Sequence, residues 1–172
     1  MSPTNSPPVG LAFLLSQVGA HAATGFGLRL SAIGLTPQHV GIIRMLGSNA
    51  GMTQQHLASL FGIFPSRLVT LLDELESKKL VTRRSNQADR RSYHLHLTAA
   101  GKRCLQRVAA ITGELEEDLF TSLSSFERET LTTLLRRIVS QQKITPAVHP
   151  AYRDREARQR PKNATPKEKN LS

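Results

Sequence analysis

The chain has 172 residues, of which 39% are hydrophobic, 5% are aromatic and none is Trp. This composition suits one domain with a helical, Leu- and Ala-rich core. The single cysteine, Cys104, excludes an internal disulfide framework. Lys and Arg number 23 against 13 Asp and Glu, so the net charge is +10 and we expect an anionic partner surface.

The N-terminal third begins with a Pro- and Ser-rich stretch, residues 1–8, which we expect to be disordered. Apolar residues then recur at helical spacing from Leu11 to Leu30, which predicts an amphipathic helix over about 10–33. The run 9–15 also resembles the apolar segment of a signal peptide. No Lys or Arg precedes it, however, and the helical pattern continues past the small residues at 20–22. We therefore favour the helix, and we expect no membrane-spanning segment and a cytoplasmic location.

Three more helices follow, each marked by its first residues. Thr36 and Pro37 predict the N-cap and first position of a helix that stops before residues 49–51. Thr53 predicts the N-cap of a short helix that ends in a turn at Gly62. The next helix begins near Pro65, and one of its faces carries a regular leucine pattern at 68, 71, 72 and 75.

After residue 79 the helical spacing gives way to an alternation of apolar and polar residues, which is typical of strands. Residues 80–84 and 93–97 predict two strands joined by a polar segment, which makes a hairpin with a basic tip. Thr98 predicts the N-cap of a long helix, and Ser124 with Glu127 forms a capping box that opens the last helix. Residues 150–172 carry seven basic and three acidic residues and predict a disordered basic tail, which is either a nonspecific grip on phosphates or a solvated terminus.

The sequence therefore predicts a mainly α protein with a small β-hairpin wing (α+β), a winged helix-turn-helix. The stretch 53–101 resembles the MarR family of bacterial transcriptional regulators, on the motifs TQQHLA, PSR, LLDELE, DRR and LTAAG. The resemblance covers about 9–142. It implies a winged-helix domain over 9–149, with a DNA-binding lobe at about 36–98 and dimerisation helices at about 9–33 and 98–143. It also implies a homodimer on a pseudopalindromic operator.

A helix that reads the major groove needs short polar or bidentate side chains on its exposed N-terminal half. Ser66, Arg67 and Thr70 supply them, and Arg67 is the best candidate for a bidentate guanine contact. The resemblance implies that Arg91 is the finger in the minor groove, Asp89 its orienter and Arg90 nearer the backbone. The predicted DNA-binding set is Gln54, Ser66, Arg67, Thr70, Arg83, Arg84, Asp89, Arg90 and Arg91, in which Arg83 and Arg84 are phosphate contacts. Asp73 is either a tether from this helix to the wing or a surface charge.

The leading functional hypothesis is a repressor that a small aromatic or phenolic effector releases from double-stranded DNA. The candidate effector-binding residues are His21, Phe26, His39 and Arg44. The alternatives are a winged-helix protein-interaction module and a constitutive DNA-binding protein. No catalytic or phosphate-loop motif occurs, and His94 and His96 lack a third ligand, so we predict no enzyme activity, cofactor or metal. Cys104 is predicted to be buried or half-buried and to have no chemical role.

Overall fold

The computed structural model describes residues 10–85 and 93–144. Its elements, in chain order, are α1 (Leu11–Ser31), α2 (Pro37–Ser48), β1 (Met52–Thr53), α3 (Gln54–Phe61), α4 (Pro65–Ser77), β2 (Val81–Ser85), β3 (Tyr93–Leu97), α5 (Ala99–Leu119) and α6 (Ser125–Gln141). The predicted fold class, mainly helical with a small β wing, is confirmed. The predictions for residues 1–8, for the wing tip at 86–92 and for the tail at 150–172 lie outside the described residues.

Side-chain caps fix where four of the helices begin. In each case a hydroxyl oxygen accepts a hydrogen bond from the backbone N–H three residues further on, which satisfies a donor that the helix itself leaves free. All four predicted caps are confirmed: Thr36 with His39, Thr53 with His56, Thr98 with Gly101, and Ser124 with Glu127. At Gly62, φ is +60° and the backbone is left-handed, so the predicted turn between α3 and α4 is confirmed as well.

The wing is a three-stranded sheet rather than a plain hairpin. Strands β2 and β3 pair antiparallel as predicted, with Val81 opposite Leu97. Strand β1 adds to the other edge of β3, with Met52 opposite Leu95, and gives the order β1-β3-β2. Strand β1 was not predicted, because two residues are too few to show an alternating pattern.

The helices and strands in the middle of the chain share one apolar core. The leucine face of α4 is buried at all four predicted positions, and it packs with α2, α3 and the sheet. Leu30 from α1 and Val108 from α5 reach the same core. We call α2, α3, α4 and the sheet the lobe.

A close backbone contact joins the lobe to α5. The N–H of Thr98 donates to the Leu80 carbonyl at 3.1 Å, and the Thr98 hydroxyl donates to the Lys79 carbonyl at 2.6 Å. Gly101, one turn into α5, lies so near the Leu80 carbonyl oxygen that a Cβ atom would overlap it. The LTAAG motif therefore has a packing reason, because only glycine leaves room for this approach.

The two end helices expose much of their apolar surface. In α1, Leu11 and Phe13 are 79% and 56% exposed, and only Leu30 is buried. Among the described residues, none in α6 is buried, and Phe126 is 77% exposed. By length and composition α1 would also suffice to cross a membrane. The expectation that no apolar run approaches that length is therefore wrong for α1, because an amphipathic pattern does not limit the total apolar content of a helix.

Candidate nucleic-acid interface

Helix α4 has two chemically different faces. Its leucines point into the lobe, whereas Ser66, Arg67 and Thr70 are exposed on the N-terminal half. Phe64 is the N-cap and supplies no capping hydrogen bond, and Pro65 at the first position has no N–H to satisfy. The first turn of α4 therefore presents N–H groups and the positive end of the helix dipole to the surroundings. This end suits a phosphate, and the adjacent polar face suits base edges.

Arg67 is already oriented in the free protein. Its Nη2 donates to Oε1 of Gln38, on the first turn of α2, at 2.9 Å. A guanidinium carries five N–H groups, so this bond leaves donors free for a guanine. The contact also joins the exposed face of α4 to the start of α2.

The root of the wing is held to α4 by one arginine. Arg83 on β2 donates through Nη2 to Asp73 at 2.6 Å and through Nη1 to Glu76 at 2.7 Å. Of the two interpretations of Asp73, the structure shows the tether. A DNA phosphate would have to displace two carboxylates to reach Arg83, whereas Arg84 is exposed and has no ion pair within the described residues.

The other predicted DNA contacts are only partly visible. Gln54 is half-buried at the first position of α3, directly after the Thr53 cap. Asp89, Arg90 and Arg91 lie outside the described residues. Their roles, and the role of Gln54, stay predictions.

His39 has a structural role at the start of α2. It is 2% exposed, and its Nδ1 accepts from the Thr36 N–H at 3.2 Å in the capping box of α2. Its Nε2 lies 2.9 Å from Glu74 Oε2 on α4, although the carboxylate is out of line for a good hydrogen bond. Burial lowers the pKa of His39, and the nearby Glu74 carboxylate partly offsets this effect. The ring is enclosed and its Nδ1 is used in the cap, so His39 stabilises the start of α2; its role in effector binding stays a prediction.

The remaining effector candidates, His21, Phe26 and Arg44, line neither of the two clefts described below. Arg44 Nη2 donates to the Thr112 hydroxyl at 3.0 Å, which ties α2 to α5. Phe26 packs against the core, and His21 is exposed. One cleft, of about 1170 Å³, lies between the end of α5 and α6. The other, of about 370 Å³, lies where the α1–α2 connection, the end of α4 and the start of α5 meet.

The histidines of β3 show no metal arrangement. His94 Nδ1 makes a hydrogen bond with the Gly51 carbonyl oxygen. Within 10–85 and 93–144, no three His, Cys, Asp or Glu side chains are grouped as metal ligands. Cys104 is half-buried, and burial raises the pKa of its thiol while nearby Arg107 lowers it in part. A raised pKa reduces the thiolate fraction and so the reactivity.

Sequence reasoning missed the residues of the smaller cleft. Lys78, Arg103 and Arg107 line it, together with Cys104 and apolar side chains. Each cation looks like an ordinary solvated charge in the sequence. Only the fold brings them together, because they come from two separate segments.

Comparisons with known proteins agree with this geometry. The model of the MarR family matches residues 33–92. A protein of Thauera aromatica, named as a transcriptional regulatory protein for the hcr operon, is 35% identical over 114 residues, which is 66% of this chain and 69% of that protein. The HTH-type transcriptional repressor Rv2887 of Mycobacterium tuberculosis is 27% identical over 130 residues, which is 76% of this chain and 94% of the repressor.

Two solved structures have the same fold. Rv2887 in complex with salicylic acid has a TM-score of 0.62 and 26% identity, covering 77% of this chain and 98% of its own. A mutant MarR of E. coli complexed with operator DNA has a TM-score of 0.61 and 25% identity, covering 75% of this chain and 93% of its own. The fold, the family match and the Thauera relative agree: the chain belongs to the MarR family, a family of transcriptional regulators rather than of enzymes.

Proposed function

We propose that this protein is a homodimeric repressor that binds a specific double-stranded DNA operator and leaves it when a small molecule binds. The observation that carries the proposal is the polar, exposed N-terminal half of α4, mounted on a fully buried leucine face. A rigid helix with Ser66, Arg67 and Thr70 on its free side has the chemistry that base edges require. The solved complex of the E. coli relative with operator DNA supports this assignment.

Four arginines and the basic tail contribute the electrostatic component of the proposed DNA binding. We propose that Arg84 and Arg90 contact phosphates, that Arg91 enters the minor groove with Asp89 as its orienter, and that the basic tail adds nonspecific affinity. Arg83 fixes the wing against α4, so its contribution is to position the neighbouring contacts. A net charge of +10 favours association with DNA as a whole.

The dimer follows from the exposed faces of α1 and α6. Apolar side chains on both helices remain open to solvent, at positions 11, 13, 14, 15 and 18 and at 126, 134, 138 and 139. Single exposed hydrophobic residues are ordinary, but two helices with apolar stripes exceed what one soluble domain normally leaves uncovered. A second copy would cover both helices through one two-fold interface and would enclose the α5–α6 cleft.

A repressor released by a ligand needs an effector, and the salicylic acid complex of Rv2887 supports an aromatic acid here. Transcription occurs in the cytoplasm of bacteria, so we propose a cytoplasmic location and assign α1 to the dimer rather than to a membrane.

The experiment is selection of bound duplexes from a random pool by the full chain. We expect enrichment of an inverted repeat whose half-sites are centred about 10 base pairs, or a multiple of that, apart, because a two-fold dimer presents two recognition helices. Repeating the binding with benzoate and other aromatic acids then tests release. Failure to enrich any sequence would overturn specific DNA binding and favour a protein-interaction module.

A further inference from the structure

One apolar side chain lies on the face of α4 that we propose reads DNA. Val69 is 40% exposed, although its neighbour Leu68 is buried. Residues 66, 69, 70 and 73 are three and four positions apart, so they share one face of the helix. Val69 therefore lies beside Ser66 and Thr70, two of the proposed base contacts, and not among the leucines of the core.

Nothing in the packing of the lobe requires a valine at this position. Among the described residues of α2, α3 and α4, Val69 is the only large hydrophobic side chain that is exposed. The helix gains no stability from it, because a β-branched side chain lowers helix propensity. A single exposed valine is ordinary on a protein surface, so its meaning depends on the groups around it.

The hydroxyl group of Thr70 is turned back onto the helix. It donates to the Ser66 carbonyl oxygen at 3.3 Å. The hydroxyl proton is thus used inside α4, and the side chain offers a ligand its methyl group and acceptor lone pairs. The methyl groups of Val69 and Thr70 together form a small apolar surface, which we call the methyl patch.

Contacts with other elements flank the methyl patch and leave it open. Arg67 binds Gln38 of α2 at 2.9 Å, and Asp73 binds Arg83 of the wing at 2.6 Å. Within the described residues, Thr70 makes no hydrogen bond to another element. The helix is therefore held by α2 and by the wing, while the patch stays free to enter a groove of DNA.

A methyl group in the major groove distinguishes thymine from cytosine. Thymine carries it at C5, and apolar side chains recognise it by contact. Such a contact removes both groups from water, and the transfer of one methyl group corresponds to about a fourfold change in affinity. Ser66 and Arg67 do not supply this distinction, because their polar groups read hydrogen-bonding edges.

We propose that Val69 is a specificity-determining residue that contacts the C5 methyl group of a thymine in each half-site, with the Thr70 methyl group beside it. Ser66 and Arg67 then read the polar edges of neighbouring bases. This inference rests on the proposed function, because it names base chemistry that α4 recognises in the operator. The methyl patch should also accept 5-methylcytosine, which carries a methyl group at the same ring position.

Deoxyuridine tests the contact, because it removes only the methyl group and keeps the base pair. Each thymine of the selected duplex is replaced in turn, in both half-sites together, and the affinity of the full chain is measured at one salt concentration. We expect one sensitive position per half-site, where replacement weakens binding about 10- to 25-fold, or about three- to fivefold per half-site. In Val69→Ser the same replacement should change the affinity by less than about twofold. Serine and valine have similar helix propensities, so this exposed substitution should leave α4 folded.

Two further variants separate methyl recognition from a general loss of DNA affinity. Ser66→Ala, one turn earlier on the same face, should weaken binding but keep the full deoxyuridine effect. Val69→Ile keeps the apolar surface and should also keep the effect. Cytosine at the sensitive position should weaken binding by the parent chain. Methylation of that cytosine at C5 should restore about three- to fivefold per half-site in the parent chain, and almost nothing in Val69→Ser.

A methyl effect that disappears in Val69→Ser and persists in Ser66→Ala would establish the contact. A selected duplex that has no thymine in its half-sites, or that tolerates deoxyuridine at every thymine, would overturn it and leave the proposed repressor intact. A methyl effect that is equally large in Val69→Ser, or equally lost in Ser66→Ala, would do the same. Failure to enrich any duplex would overturn the proposed function and this contact together.

Discussion

The lobe and the end helices differ in how they bury apolar side chains. In the lobe, the four leucines of α4 and residues of α2, α3 and the sheet cover one another, so each element has a packing partner in the same chain. In α6, none of the described residues is buried, and in α1 only Leu30 is. The lobe therefore specifies its own structure, whereas the end helices leave apolar surface that the proposed dimer would cover. Changes in the lobe should alter folding, and changes on the ends should alter association.

The largest effect on association is expected from a charge placed on the exposed apolar face of α6. Leu134→Glu should weaken the dimer at least about 100-fold, because a leucine is worth roughly 1.5–3 kcal/mol when covered and a buried carboxylate adds a further cost. Sedimentation over a concentration series measures the effect. Thr133→Glu, an exposed polar neighbour on the same helix, should leave the dimer intact. A parent chain that sediments as a monomer at all concentrations would contradict the proposed dimer.

For the lobe, the largest effect on folding stability is expected at Gly101. Gly101→Ala should lower the free energy of unfolding by about 1–3 kcal/mol or more, because the new methyl group meets a backbone carbonyl that has nowhere to move. Gly113→Ala on the same helix meets nothing within 4 Å and should raise stability by about 0.5–1 kcal/mol through helix propensity. Urea unfolding of the two variants gives the comparison. Equal effects would show that the close approach to Leu80 is not rigid.

Within the lobe, the tether between α4 and the wing predicts a smaller coupling. A double-mutant cycle with Asp73→Asn and Arg83→Gln should give a coupling free energy of about 0.5–1 kcal/mol, since Arg83 is mostly buried but Asp73 is exposed. Glu76→Gln repeats the cycle for the second carboxylate. Additive effects would mean that the ion pairs contribute nothing to the position of the wing.

The smallest effect concerns pH. Burial holds the pKa of His39 below 6.5, so the unfolded chain binds a proton there before the folded chain does. Stability should therefore fall as the pH drops below 6.5, towards the lowered pKa of the folded state. His39→Gln should reduce this slope, although it also removes a capping contact and lowers stability at neutral pH. Chemical unfolding between pH 7.5 and 5 measures both quantities, and an unchanged slope would show that His39 is not the source.

Much of the fold was predictable because its signals are local. A cap such as Thr98 contacts a residue three positions away, and the leucine period of α4 lies within one helix. Strand β1 was not predictable, since its two residues become a strand only by pairing with β3, some forty residues later. The candidate site likewise has residues that local patterns predict and residues that only the fold brings together. Ser66, Arg67 and Thr70 follow from helix periodicity, but the enclosure of His39 by Thr36 and Glu74 and the grouping of Lys78 with Arg103 and Arg107 depend on tertiary packing.

Sequence reading by α4 is tested most directly by the affinities of the parent chain and of Arg67→Ala for a selected duplex and for its scrambled counterpart, at one fixed salt concentration. We expect the parent chain to bind the selected duplex at least about 1,000-fold more tightly than the scrambled one. Arg67→Ala should lose about 1–3 kcal/mol of binding free energy on the selected duplex and much less on the scrambled one. Arg137→Ala removes the same charge from exposed α6 and should affect both duplexes little. If Arg67→Ala weakens binding to both duplexes equally, or to neither, α4 does not read the sequence of the operator.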